Sequence, residues 1–339
     1  MAGRRVGVVG DFMLDEYVWG NASRLSPEAA VPVVDFVETN ECPGGAGNVA
    51  ANLASLGARV AAFGVAGADP QAGRLRAALE ERGVAARGIL ADPGRSTTLK
   101  TRIIARHQQL VRVDRETRAP LAPAIEEQLI SKIAGALKTP RGRRPLGALV
   151  ISDYDKGAVT EELARRVLAL CAKLRVPAFV KPKWSMLATY PGASAIVLNS
   201  KEASFLVTRE VDDDESAEYA GAQLLEKFKS AAVVLTRGAR GMTVFEAGAA
   251  KGFTIPALSR EIPFGARFGG RTPERKGLQV FDVTGAGDTA LATLALAAAA
   301  GAPIRDAAVL GNAAAGIVVS KLGTATVSAA ELESVLRAK

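Results

Sequence analysis

An α/β fold, with a mostly parallel central sheet covered on both faces by helices, is predicted by three features of this chain. Short β-type runs occupy 5–9, 60–64, 148–152, 178–181, 195–198 and 233–236. Helical patterns at 46–56, 125–137, 161–174 and 216–228 fall between several of them, and such alternation joins parallel strands through crossovers. Polar residues stand at or just beyond the ends of four runs (Asp11, Asp153, Asn199 and Thr236), where open α/β sheets collect ligands.

Composition narrows the class. A length of 339 residues exceeds the usual single-domain mode but suits one large α/β domain. Aromatic residues make up only 5%, so Ala, Val and Leu must build the core. With 43 basic against 35 acidic residues the net charge is +8 and the pI about 9.6, which favours anionic ligands such as nucleotides and sugar phosphates. The basic residues are scattered, and no aromatic stacking platform alternates with them, so nucleic acid is not the expected partner. Cys42 and Cys171 supply neither a disulfide framework nor a metal-ligand spacing, and the Met-Ala-Gly-Arg-Arg start lacks a signal-peptide apolar region. Both features predict a cytoplasmic protein. The longest strongly apolar run, about 289–300, is too short and too rich in Ala to span a bilayer, so no membrane role is expected. No Gly-x-Gly-x-x-Gly follows the first run, which argues against a nicotinamide dehydrogenase.

Two stretches break the alternation. Residues 16–40 and 96–114 are β-branched, polar and aromatic without helical period, and by themselves read as a loop plus hairpin. Two further segments read as surface inserts: the basic loop 139–145, and 259–277, rich in Gly, Arg and Pro. No internal repeat is evident. The sole histidine, His107, lies beside Arg106 and Gln108 and is expected to be structural.

The most informative string is Asp282-Val283-Thr284-Gly285-Ala286-Gly287-Asp288, which leads into an Ala- and Leu-rich run of high helix propensity. A Gly-Ala-Gly turn carries almost no side chains. The backbone N–H groups of a first helical turn can then face a ligand, and with the helix dipole they suit a phosphate. A carboxylate such as Asp288 at that mouth repels phosphate unless it has a task, and taking the proton of an attacking hydroxyl is the evident one. The alternative is an Asp that only caps the helix.

This string, with Gly44-Gly45-Ala46-Gly47-Asn48 about 240 residues earlier, resembles the PfkB/ribokinase family of small-molecule kinases. Further strings are similar to the D-glycero-D-manno-heptose 7-phosphate kinases of that family, stand-alone or as half of the bifunctional lipopolysaccharide-heptose enzyme. They are Gly-Asp-Phe-Met-Leu-Asp at 10–15, Ser-Arg-Leu-Ser-Pro-Glu at 23–28, Pro-Val-Val at 32–34 and Asn-Val-Ala-Ala-Asn at 48–52. Others are Gln-Gln-Leu-Val-Arg-Val-Asp at 108–114, Ser-Asp-Tyr-Asp-Lys-Gly at 152–157, Asn-Ala-Ala-Ala-Gly at 312–316 and the 321–328 string. The likeness covers nearly the whole chain. It implies a ribokinase-like three-layer sandwich in one kinase domain, 1–339, with a small β lid from 16–40 and 96–114.

The resemblance also implies roles. Asp288 would be the general base, and the Gly285, Ala286 and Gly287 turn the anion hole. Asp11, Asp15, Gly44, Gly45 and Asn48 would contact the sugar. Asp153, Lys100, Arg102, Arg112 and Lys156, with Arg24, are candidates for the rest of a phosphorylated substrate. Thr236, Gly238, Gly241 and Asn312 would hold the nucleotide. Asn199 and Glu202 would act on magnesium through its bound water, although Asn199 as N-cap and Glu202 closing a capping box explains the pair equally. ATP and Mg2+ are the implied cofactors, a monovalent cation is left open, and a homodimer through the lid is the implied assembly.

One departure stands out: relatives typically read Asp-Pro-Lys where this chain has Lys181-Pro182-Lys183. The expected reaction is ATP-dependent phosphorylation of the anomeric hydroxyl of D-glycero-D-manno-heptose 7-phosphate, on the way to ADP-heptose and the lipopolysaccharide core. A kinase for another sugar or sugar phosphate, and a degenerate sensor that binds without turnover, stay open beside it.

Overall fold

The computed structural model describes residues 1–105, 108–138, 145–183, 190–258, 283–321 and 324–337. His107, Asp282, residues 259–277 and most of the basic loop 139–145 lie outside the described residues. Among the described residues the central sheet has nine strands. From edge to edge they are β13 (Phe253–Ile255), β12 (Met242–Glu246), β11 (Ala232–Thr236), β10 (Ala195–Asn199), β9 (Ala178–Lys181), β8 (Ala148–Ser152), β1 (Arg5–Gly10), β4 (Arg59–Ala66) and β5 (Val84–Ala91). Among the described residues only β12 runs against the others.

Each central strand feeds two cores, because successive side chains point to opposite faces. Val6, Val8, Ala148 and Val150 pack under α1 (Ala46–Ser55), α2 (Pro70–Glu80), α7 (Ala286–Ala299), α8 (Ile304–Val318) and α9 (Ala329–Arg337). Their neighbours Val9, Leu149 and Ile151 pack under α3 (Pro123–Lys138), α4 (Glu161–Leu174), α5 (Ser200–Val207) and α6 (Asp214–Phe228). The result is the three-layer α/β sandwich expected. The six expected strands are present. Three more are β5 and β13 at the two edges, where partial exposure dilutes the apolar signal, and the buried β12 between β13 and β11.

A second, four-stranded sheet has the order β3 (Pro32–Gly45), β2 (Phe12–Leu25), β6 (Leu99–Ala105), β7 (Gln108–Arg115). It takes in the two stretches that break the alternation. Strand β2 starts one residue after β1 ends, and β3 runs straight into α1, so the two sheets meet where Phe12 pairs with Gly45. Asp15 lies at this junction, paired with Cys42 on one side and Lys100 on the other.

Helix α7 is apolar nearly all round and buried along its length, as a helix of that composition must be. Its small side chains let α1 and α8 approach closely. No helix among the described residues is long and apolar enough to cross a membrane.

Gly221 on α6 tests this close packing. A methyl group there would meet the buried Phe245 ring at 2.3 Å. Gly221→Ala gains about 1 kcal/mol of helix propensity. Crowding of a core ring costs about 1–3 kcal/mol and outweighs it. Urea unfolding should therefore show net loss of stability, and a gain would refute this account.

Candidate active site

Helix α7 opens at the Gly-Ala-Gly turn. Gly285 is its N-cap with φ of 82°, in the left-handed region where glycine has no Cβ penalty. The Ala286 N–H reaches the Val283 carbonyl at a long 3.3 Å, and the first-turn N–H groups have no acceptor within the helix. Asp288 sits in that first turn, 5% exposed.

Three distant segments hold its carboxylate. Asn48 Nδ2 donates to Oδ2 at 2.9 Å, the Tyr154 hydroxyl donates to Oδ1 at 2.6 Å, and Lys181 Nζ donates to Oδ1 at 2.6 Å. Asn48 is itself fixed by Asn52, one helical turn on, whose amide donates to the Asn48 carbonyl at 2.9 Å. The Thr289 hydroxyl donates to Asn52 Oδ1 at 3.0 Å, closing a polar link between α1 and α7. The Asn-Val-Ala-Ala-Asn spacing thus puts both amides on the face of α1 that meets α7.

Lys181 ends β9 and also donates to the Tyr154 hydroxyl at 3.2 Å. Burial alone would push its ammonium down, but Asp288 and Tyr154 outweigh that and hold it well above the usual lysine range. Burial and then the Asp288 charge push the Tyr154 phenol up, so it stays protonated as a donor.

Around Asp288 opens a cavity of about 890 Å³. On the side of the second sheet its wall carries Asp15, Gly45, Asn48, Lys100, Arg102 and Arg112. These cations are paired already: Arg102 with Asp15 at 2.7 Å, Lys100 with Asp114 at 2.8 Å, and Arg112 with both Asp114 oxygens. On the other side stand Asn199, Glu202, Thr236, Gly238, Gly241 and Asn312, beside apolar Met242, Leu258 and Val319. Asn199 and Glu202 form the reciprocal capping box of α5 and still line the cavity. One Glu202 oxygen accepts the Asn199 N–H at 2.9 Å; the other lies 3.8 Å from Lys183 Nζ.

Five expected substrate residues do not line the cavity, and one of them, Arg24, is exposed near the end of β2. Asp11 accepts the backbone N–H groups of Tyr154, Lys156 and Ala158 at 2.7, 3.2 and 3.0 Å, so its carboxylate braces the 153–158 loop. Asp153 accepts the Asp155 N–H and the hydroxyl of buried Tyr190. Lys156 pairs with Glu116 at 2.9 Å. At Gly44 a Cβ would stand 2.2 Å from Asp15 Oδ2, so this glycine makes room for that carboxylate. Sequence reasoning missed Tyr154, although its Ser-Asp-Tyr-Asp-Lys-Gly string was in view. The loop that Asp11 braces is what carries the Tyr154 phenol to Asp288.

A model of the pfkB family of carbohydrate kinases matches residues 4–331. The chain belongs to that family. As a pfkB kinase it is an ATP-dependent carbohydrate kinase. The bifunctional protein HldE of Geobacter sulfurreducens is 42% identical over 325 residues, covering 96% of this chain and 61% of that protein. HldE of Desulfatibacillum aliphaticivorans is 42% identical over 334 residues, covering 98% and 63%. The chain thus spans less than two thirds of the length of these relatives. Similar folds include Escherichia coli phosphofructokinase-2 in complex with potassium (TM-score 0.76, 19% identity, 99% of both chains). Arabidopsis thaliana ribokinase complexed with ribose and ATP is another (TM-score 0.71, 18% identity, 99% of both chains). At these identities the likeness is one of fold.

Burial, and then the charge of Asp153, raise the Asp11 pKa from 3.8 to about 6 despite its three N–H donors. A carboxyl raised on folding contributes stability below its unfolded pKa that is lost as pH rises through the folded value. Asp11→Asn removes this dependence. Relative to wild type, the variant should gain roughly 2–3 kcal/mol between pH 4 and 6 and stay level above. Urea unfolding across that range measures the difference, and a flat difference would refute the raised pKa.

Proposed function

We propose that this pfkB kinase transfers the γ-phosphoryl group of ATP to the anomeric hydroxyl of D-glycero-D-manno-heptose 7-phosphate, giving the 1,7-bisphosphate, in the cytoplasm. The observation that carries the reading is the single cavity about Asp288. It joins the helix N-terminus to a cationic wall on one side and a partly apolar cleft on the other. The heptose strings of the sequence and the similarity to HldE support the choice of sugar.

In this reading the acceptor oxygen forms the new bond to the γ-phosphorus and its proton passes to Asp288. The bond from phosphorus to the bridging oxygen breaks, and its electrons leave on ADP. The N–H groups about Gly285, Ala286 and Gly287 hold the charge on the transferring group. Asp15, Gly45 and Asn48 orient the sugar, while Lys100, Arg102 and Arg112 attract its 7-phosphate. Thr236, Gly238, Gly241 and Asn312 flank the nucleotide. Magnesium, when bound, would offset phosphate charge, and Asn199 and Glu202 would act on it through its bound water. The Glu202 oxygen that faces Lys183 across 3.8 Å suits such a water-mediated role. The domain comprises 1–339, and the second sheet acts as the lid. Its exposed Phe36, Val37, Val111 and Val113 favour a homodimer formed there.

One observation favours a second reading, a sensor that binds without turnover: Lys181 occupies the proposed base. ADP release with ATP, magnesium and a sugar panel, with phosphorus NMR of the product, separates the readings. A new anomeric phosphate signal from the heptose 7-phosphate supports the first. Turnover only with another sugar discards the heptose, and ATP binding with no turnover supports the sensor.

Asp288→Asn should lower kcat by about 10²–10⁴-fold while ATP affinity by calorimetry changes little. A variant that keeps most of its turnover removes Asp288 from the role of base.

A further inference from the structure

Lys181 has more reach than its pairing with Asp288 uses. Its Nζ stands 2.6 Å from Asp288 Oδ1 and 3.2 Å from the Tyr154 hydroxyl. A Cβ added at Gly287 would lie 3.5 Å from the same nitrogen. The ammonium therefore abuts the first turn of α7, where backbone N–H groups and the helix dipole gather an anion. An ammonium has three donors, and Asp288 and Tyr154 take two among the described residues. The position also lies on the cavity wall, so a ligand reaches it.

We propose that Lys181 is a catalytic residue of this kinase that trades Asp288 for the transferring phosphoryl group. A polyphosphate on the Gly-Ala-Gly turn carries several negative charges beside Nζ, against one on Asp288. Attraction in a site of low dielectric scales with that charge, so the ammonium shifts toward the phosphate. Asp288 Oδ1 then keeps only the Tyr154 hydroxyl and can take the proton of the acceptor. The ammonium then pairs with the negative equatorial oxygens of the phosphorus as the acceptor bond forms and the bridging bond breaks. Pairing with Asp288 and Tyr154 keeps the ammonium charged, as this role requires.

The proposal deepens the kinase reading and rests on it, but its test does not need turnover. The probe is inorganic tripolyphosphate in EDTA, titrated calorimetrically into the full chain. Lys181→Met should weaken binding by about 10- to 100-fold, the usual scale for a hydrogen bond to a charged group. Lys181→Arg should stay within a few-fold of wild type and recover part of the kcat that Lys181→Met loses. Because Lys181→Met leaves the Asp288 charge unpaired and could unfold the chain, the same change is also made on Asp288→Asn. That double variant should bind tripolyphosphate at least about tenfold more weakly than Asp288→Asn alone. Equal affinity within both pairs, with only thermal stability changed, makes Lys181 a structural tether and overturns the proposal. Failure of the kinase reading is a separate result: no ADP release by wild type with any sugar.

Discussion

One buried carboxylate organises this molecule. Asp288 lies at the start of a helix buried along most of its length, and burying a charge is costly unless it is paired and hydrogen-bonded. Its partners come from α1, from the loop after β8 and from the end of β9. Satisfying Asp288 therefore requires the central sheet, the inner helices and the 153–158 loop to be assembled at once. The positive end of α7 favours the same carboxylate, so helix dipole and side-chain partners act together.

A second buried carboxylate supports the first. Asp11 follows β1 and takes three backbone N–H groups of the 153–158 loop. Those donors would otherwise be unsatisfied in a poorly solvated place, which costs about 1–3 kcal/mol each. Asp11 thus positions Tyr154, and Tyr154 positions Asp288. The link from β1 to the proposed base runs through main-chain hydrogen bonds rather than through a ligand.

The second sheet presents a different electrostatic problem. Lys100, Arg102, Arg112 and Lys156 each have a carboxylate within 2.9 Å. Pairs of this kind in partly exposed sites contribute little to stability, of order 0–1 kcal/mol. They do fix the side chains in place. A phosphorylated ligand would meet cations already positioned, and would compete with Asp114 and Glu116 for them.

The sequence by itself determined the α/β class, the central strands and the Gly-Ala-Gly helix start, because each depends on neighbours within a few residues. Apolar runs, helical periods and a Gly-Ala-Gly turn are local, and local patterns survive in a string of letters. Family resemblance marked Asn48 and Asp288 separately, as a sugar contact and a base; that they bond across 240 residues is visible only in the fold. Only the tertiary structure decided what Asp11, Tyr154 and Lys181 touch. The family resemblance implied a sugar contact for Asp11, yet its oxygens accept the backbone N–H groups of a loop about 145 positions away. Tyr154 carried no periodic or compositional signal at all. Lys181 was visible as a charge reversal, but its partner depended on how β9 lies beneath α7. Long-range pairing of side chains is set by packing geometry, and a one-dimensional pattern does not contain it.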